Sequence, residues 1–164
     1  MKSQVNFRII IDTNILVALI DKKDKWHKKA LMIREALKND NAEFVFLDCV
    51  INETITVIGR RLEEKGLTEN FHDTISSLER LISKEKITWI SQETNRLYQN
   101  ILELTKKYKG KLNFHDALIA LVSRELDIKY IATFDTDFED IDWLTIYNMS
   151  EMNNKVNITS RVIK

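Results

Sequence analysis

Five short, almost uniformly apolar runs constrain this chain more than any other feature. They are Phe7–Ile11, Phe44–Leu47, Ile87–Ile90, Tyr130–Thr133 and Leu144–Tyr147. Each is too short for a helix and too unbroken for a strand with one wet face, so each reads as a strand covered on both faces. Between them lie helical periods. Trp26, Ala30, Ile33 and Leu37 repeat at intervals of 4, 3 and 4, as do Phe71, Ile75, Leu78 and Ile82, and Leu97, Ile101, Leu104 and Tyr108. These stripes are packing surfaces of amphipathic helices. Two further stretches, Cys49–Ile58 and Phe114–Val122, are apolar nearly all round and are expected to form buried helices. Strands alternating with helices imply an α/β fold: a central, mostly parallel β-sheet of about five short strands flanked by helices in three layers.

Turn chemistry narrows the choice. Average usage would give about 11 glycines and 8 prolines in this length, whereas the chain has 3 and 0. Connections must then be made by Asn, Asp and Lys. A many-turned β-sandwich, whose hairpins want Gly and Asn-Gly, is disfavoured. At 164 residues one domain is expected, spanning 1–148, which buries roughly 70% of its unfolded surface without staples. The segment 149–164 loses the periodicity and is expected to be an arm or partly disordered. Lys+Arg and Asp+Glu are 25 each, which excludes a generally basic, polyanion-coated protein but not a local basic face. The single cysteine, Cys49, excludes an internal disulfide framework and a four-cysteine zinc site. It reads as a buried packing residue. No apolar run approaches the ~20 residues of a membrane span, and the N-terminus lacks a signal-peptide pattern. A soluble cytoplasmic protein is the default expectation.

The acids carry the chemistry. Asp12 ends the first strand, and in open α/β sheets ligands bind outside the carboxyl ends of the strands. A plain helix cap is its competing role, as it is for Asp48. Glu53 falls inside an apolar helix, where an unpaired charge is expensive; Arg60, Arg61 or a distant Lys is the competing partner. Asp116 has Asn113 three residues before it, a pattern that also fits a capping box. Asp135 follows the fourth strand and opens a stretch of eight residues holding five acids, Asp135, Asp137, Glu139, Asp140 and Asp142; the last three fit a solvated loop. Asp12 and Asp135 should end strands at one sheet edge. Glu53 and Asp116 are placed in first turns of their helices, and all four should converge on one cleft. Converging hard oxygens suit Mg²⁺ or Mn²⁺ rather than zinc, and such clusters work on phosphates.

Four motifs then resemble the PIN domain family: Ile9-Ile10-Ile11-Asp12-Thr13-Asn14-Ile15, Val50-Ile51-Asn52-Glu53, Phe114-His115-Asp116-Ala117-Leu118-Ile119-Ala120, and Ala132-Thr133-Phe134-Asp135-Thr136-Asp137-Phe138. The resemblance covers about residues 7 to 147, including element order. It implies a Mg²⁺- or Mn²⁺-dependent endoribonuclease, often the toxin of a toxin–antitoxin pair, and a homodimer. It also implies an acidic quartet of Asp12, Glu53, Asp116 and Asp135, with Asn14 steadying the first acid and Thr133 preceding the fourth. Asp137 is expected as a further metal ligand, in the outer layer or in place of Asp135.

Two lysine clusters with aromatics fit a single-stranded RNA channel. Lys106, Lys107, Lys109 and Lys111 surround Tyr108 before Asp116, and Lys22, Lys23, Lys25, Lys28 and Lys29 surround Trp26. A solvated helix end is the competing reading of both. His27, His72 and His115 lack metal-pair spacing. Two other functions compete: a non-catalytic RNA- or protein-binding PIN module, and an Asp-based phosphatase or phosphotransfer domain. The latter wants a second acid where this chain has Asn14.

Overall fold

In a computed structural model of the protein, the structure describes residues 5–147. The expected C-terminal arm, 149–164, lies outside them. The strands are β1 (Phe7–Ile11), β2 (Ala42–Leu47), β3 (Ile87–Thr88), β4 (Tyr130–Ala132) and β5 (Thr145–Ile146). All pair in parallel, in the order β3-β2-β1-β4-β5. The helices are α1 (Thr13–Ile20), α2 (His27–Asn39), α3 (Asp48–Glu64), α4 (Phe71–Leu81), α5 (Ser91–Arg96), α6 (Tyr98–Lys107) and α7 (Phe114–Glu125). From β1 the chain steps outward through β2 to β3, then returns past β1 to β4. The strand order therefore reverses between β1 and β4, and the carboxyl ends of those two strands form the crevice where such sheets bind ligands. α1 packs against α2, α3 and α4, and α6 against α7, as crossovers of one hand, first outward and then back, require.

The core is centred on β1. Ile9, Ile10 and Ile11 are buried together with Val45, Leu47, Ile131 and Ala132 from its neighbours. The outer runs are trimmed at their ends. Trp89 is exposed and Ile90 is the N-cap of α5, so β3 keeps only two of the four expected residues. The Leu97–Tyr108 stripe is realised in α6, preceded by a short α5 that no stripe announced. α7 is buried from Ala117 through Ser123, as expected. α3 is not: only Val50, Thr54 and Ile58 are buried, and Ile55 is exposed. One of its flanks packs on α1 and α4 and the other meets solvent. Cys49 is half-buried against the core, not fully buried; burial, with Asp48 and Glu53 nearby, pushes its thiol up to about 12.

Scarce glycine has the expected consequence. Left-handed backbone falls on Asn41, Lys109 and Asp127 as well as on Gly66 and Gly110. Among the described residues no helix is long and apolar enough to cross a membrane.

The glycines give opposite expectations for one substitution. Gly66 has φ +64° and nothing within 4 Å of an added Cβ, so Gly66→Ala meets only backbone strain. It should cost about 1 kcal/mol, since left-handed φ is unfavourable for an L side chain by about that much. Gly59 lies inside α3, where a Cβ would meet Phe71 at an ordinary 3.5 Å. Gly59→Ala should stabilise by roughly 0.5–1 kcal/mol. Thermal melts read both, at roughly 2–4 °C per kcal/mol for this size.

Candidate active site

The register of β1 against β4 sets the site. Ile11 pairs with Ala132, so the next residues, Asp12 and Thr133, stand side by side where the strands end. Asp12 is also the N-cap of α1, receiving Thr13 N at 2.7 Å on Oδ1. Its other oxygen, Oδ2, accepts the Thr133 hydroxyl at 2.6 Å and the Asn14 amide at 2.8 Å. The expected cap is thus realised, in a side chain that also stands at the β1–β4 crevice. Asn14 Nδ2 also reaches Thr133 Oγ1 at 2.9 Å, and its Oδ1 accepts Phe134 N at 3.0 Å. Thr133 Oγ1 accepts Asp135 N at 3.0 Å, and Asp135 Oδ1 accepts Asp137 N at 2.9 Å. A continuous hydrogen-bonded chain therefore runs from α1 across the β1–β4 crevice into the acidic loop.

The other two acids arrive on helices. Asp116 sits at the third position of α7 in a reciprocal capping box: Asn113 N donates to Asp116 Oδ2 at 3.1 Å, and Asp116 N donates to Asn113 Oδ1 at 3.0 Å. Glu53 is one turn deeper in α3 than expected, at its sixth residue, because the helix already begins at Asp48. It does not pair with Arg60 or Arg61. Arg60 faces Glu64, and Arg61 binds Asp24 at 2.6 Å. Glu53 instead accepts the Thr13 hydroxyl at 2.9 Å. Thr13 escaped the sequence reading, because nothing in a Thr between an acid and an Asn announces a partner forty residues away. Asp48 is not the expected N-cap, a position held by Leu47; it is the first residue of α3 and accepts both Cys49 N and Ile90 N.

Electrostatics tie these groups together. Burial pushes the Asp12 carboxyl up to about 6. Bonds from Thr133 and Thr13 oppose the rise, and the charges of Asp116 and Glu53 add to it. Asp116 is also raised, first by burial and then, against its Asn113 bond, by Asp135, Glu53 and Asp137. Among the described residues no Lys or Arg forms an ion pair with Asp12, Glu53, Asp116, Asp135 or Asp137. These five carboxylates thus have no direct ion-pair partner among the described residues. An all-oxygen set with uncompensated negative charge fits a hard divalent cation. As the side chains stand, no three acidic, His or Cys groups among the described residues form a ready cage; Glu53 is turned onto Thr13 and Asp116 onto Asn113.

Lys106, Lys107 and Lys109 are exposed at and just beyond the end of α6. Lys111 is engaged by Asp140 at 2.7 Å. The Trp26 cluster reaches the site more directly: Trp26 stacks on Phe134, centroids 5.1 Å apart, and Phe134 lies between Thr133 and Asp135. The pairing was unforeseen, because no local pattern links residues so distant in sequence.

The PIN domain family model matches residues 9–144, and the chain belongs to that family. Two solved structures share its fold. One is VapC20 of Mycobacterium tuberculosis, a sarcin-ricin-loop-cleaving toxin, with a TM-score of 0.62 and 21% identity over 83% of this chain and 96% of that one. The other is VapBC2 from Rickettsia felis, solved bound to a DNA fragment from its promoter, with a TM-score of 0.60 and 17% identity over 87% of this chain and 98% of that one. Among curated proteins no significant match is found.

The raised Asp12 carboxyl has a consequence for the metal-free protein. Its folded value of about 6 exceeds the ordinary 3.8, so between these pH values the folded state holds more protons than the unfolded one. Its contribution is favourable below pH ~4 and is lost as pH rises to ~6. The full interval corresponds to about 3 kcal/mol. In denaturant unfolding with chelator, wild type should lose stability relative to Asp12→Asn across this window, whatever their absolute difference. Parallel pH profiles would contradict the assignment.

Proposed function

We propose that this protein is a divalent-metal-dependent endoribonuclease that cleaves single-stranded RNA, and that it serves as the toxin of a toxin–antitoxin pair. The observation that supports the reading is the hydrogen-bonded chain from Asp12 through Thr133 to Asp135 and Asp137 at the β1–β4 switch point, with Glu53 and Asp116 close enough for their charges to act on it and none of the five in an ion pair among the described residues. Membership of the PIN family and the likeness to a toxin that cleaves the sarcin-ricin loop support it. The likeness to VapBC2 supports an antitoxin partner, and a homodimer belongs to the same reading.

Mg²⁺ or Mn²⁺ bound by these carboxylates would lower the pKa of water, orient the phosphate and neutralise developing charge. The chain's own part is positioning. Asp12 is fixed by three donors and has no freedom to swing. Thr13 holds Glu53 against it, and Asn113 holds Asp116 at the mouth of α7. Thr133 and Asn14 set the spacing between Asp12 and the Asp135 loop. In-line attack by water on phosphorus, with departure of the 3′ oxygen, leaves a 5′-phosphate on the product. A phosphatase reading is disfavoured at Asn14. The side chain in the position of that mechanism's second acid is an amide donating to Asp12 and accepting from Phe134 N. Small phosphate esters should not be turned over.

Asp12→Asn, Glu53→Gln, Asp116→Asn and Asp135→Asn should each nearly abolish cleavage of single-stranded RNA, while Asp48→Asn and Asp142→Asn should not. Thr133→Ala and Asn14→Ala should cost roughly 10–100-fold, the usual loss for groups that orient ligands. Chelator should silence wild type and Mn²⁺ restore it. Gel assays with Mn²⁺ check each variant; full activity in Asp116→Asn would overturn the site, and RNA retention without cleavage by wild type would favour a binding module.

The exposed lysines enter the same reading as phosphate-binding groups. Replacing Lys106, Lys107 and Lys109 together by Ala should weaken RNA binding and lower the slope of log affinity against log salt by about 2, close to 0.7 for each phosphate no longer neutralised. An unchanged slope would remove them from the interface.

A further inference from the structure

Outside the carboxylates, the structure builds an aromatic ledge that the reaction does not need. Trp26 and Phe134 stack at 5.1 Å with an interplanar angle of 23°. Lys29 Nζ lies 5.1 Å from the Trp26 ring and 5.4 Å from the Phe134 ring, and Lys25 Nζ lies 5.4 Å from the Trp26 ring. Trp26 is 41% exposed, so part of its surface is open to a partner. Among the described residues neither lysine pairs with a carboxylate. The ledge walls a groove of about 250 Å³ that also includes Thr133 and Asp135. Trp26, Phe134 and Lys29 thus line one groove with Asp135, the acid that follows β4.

Both halves of the ledge are held in place. Phe134 N donates to Asn14 Oδ1, so the amide that steadies Asp12 also sets the position of the ring. Trp26 N donates to Asp24 Oδ1 at 2.7 Å, and Asp24 Oδ2 is bound by Arg61 from α3 at 2.6 Å. The Asp24 side chain is only 6% exposed, so the turn that carries Trp26 is anchored to a rigid helix. Pre-positioned aromatics lose little on binding a flat partner.

We infer that Trp26, backed by Phe134, is a stacking site for one nucleobase of the RNA beside the phosphate to be cleaved, with Lys25 and Lys29 meeting the adjoining phosphates. The inference rests on the ribonuclease reading and deepens it. Stacking is tolerant of sequence because every base has a π-face. A cation resting on an exposed ring is held weakly, so the ammonium groups are free to turn to phosphate. The ledge therefore selects unstacked, single-stranded RNA at the cut, since a base paired in a helix has no free face to offer.

The test measures binding of a labelled, unstructured twelve-nucleotide RNA by fluorescence anisotropy with Mn²⁺, in the Asp116→Asn background to prevent turnover. Trp26→Ala should weaken binding roughly 5- to 150-fold, the loss of one stacked base. Trp26→Phe should bind within about threefold of the parent, because one aromatic face remains; its recovery also excludes misfolding as the cause. An abasic site stepped along the RNA should weaken binding to the Trp26 protein at one position, and at that position cost nothing further in Trp26→Ala. Equal affinity of Trp26→Ala and its parent, or an abasic penalty identical in both, overturns the ledge. If wild type still cleaves RNA in that case, the ribonuclease reading survives without it. If no variant binds RNA and wild type does not cleave, both fall.

Discussion

Everything at the functional end of this molecule hangs on the Asp12 carboxylate and the three donors that hold it. A buried anion without a cationic partner is among the least favourable features a small domain can carry. Here it is tolerated because Thr13 N, Asn14 Nδ2 and Thr133 Oγ1 occupy its lone pairs. Two of those donors lie on the segment following β1, and the third follows β4. The clasp therefore also fixes the junction of the two strands at the point where the sheet order reverses. A one-residue slip of β4 against β1 would turn Thr133 away from Asp12 and carry Asp135 with it.

The surrounding bonds pass this rigidity outward. Asn14 spends its amide on Asp12 and Thr133 and its carbonyl on Phe134, so strand junction, acidic loop and aromatic ledge share one reference point. On the far side, Arg61 of α3 clasps Asp24 in the turn between α1 and α2. Glu53 lies on the same helix, two turns earlier. α3 thus supplies a carboxylate to the crevice from one end and anchors the lysine-rich turn from the other.

The sequence carried the fold at the level of periodicity. β1 and α7 are legible because burial on every side leaves no polar interruption, and both appear where the apolar runs place them. α3 looked equally apolar in its first ten residues, yet one flank of it is wet. Composition averaged around a helix does not tell which neighbours will come, and Ile55 meets solvent because no element packs there. β3 and β5 shrink to two residues each because the outer strands have one partner apiece. At the site, acids at strand ends were readable, since topology alone brings Asp12 and Asp135 together. Thr13, the Trp26–Phe134 stack and the Arg61–Asp24 pair were not. Each is a contact between segments far apart in sequence, and none leaves a local signature.

Cap and candidate site acid are compatible assignments for Asp12 and Asp116, because each holds a helix N-terminus and each feels the charges of other acids. α1 begins directly after Asp12, and α7 begins two residues before Asp116. Each helix N-terminus presents the equivalent of about half a positive charge, which favours an anion nearby. Two such ends facing one crevice, together with the backbone N–H donors they supply, explain how acids can gather there without lysine or arginine. The compensation is incomplete. Both remain raised above the ordinary carboxylate value, Asp12 by burial and the charges of Asp116 and Glu53, Asp116 by burial and the charges of Asp135, Glu53 and Asp137. Had a lysine or arginine closed the deficit, the crevice would be a structural ion-pair network with little to offer a ligand. The helix dipoles instead bring the acids within reach of stability while leaving a net negative charge, and that residue of charge is what a divalent cation would neutralise.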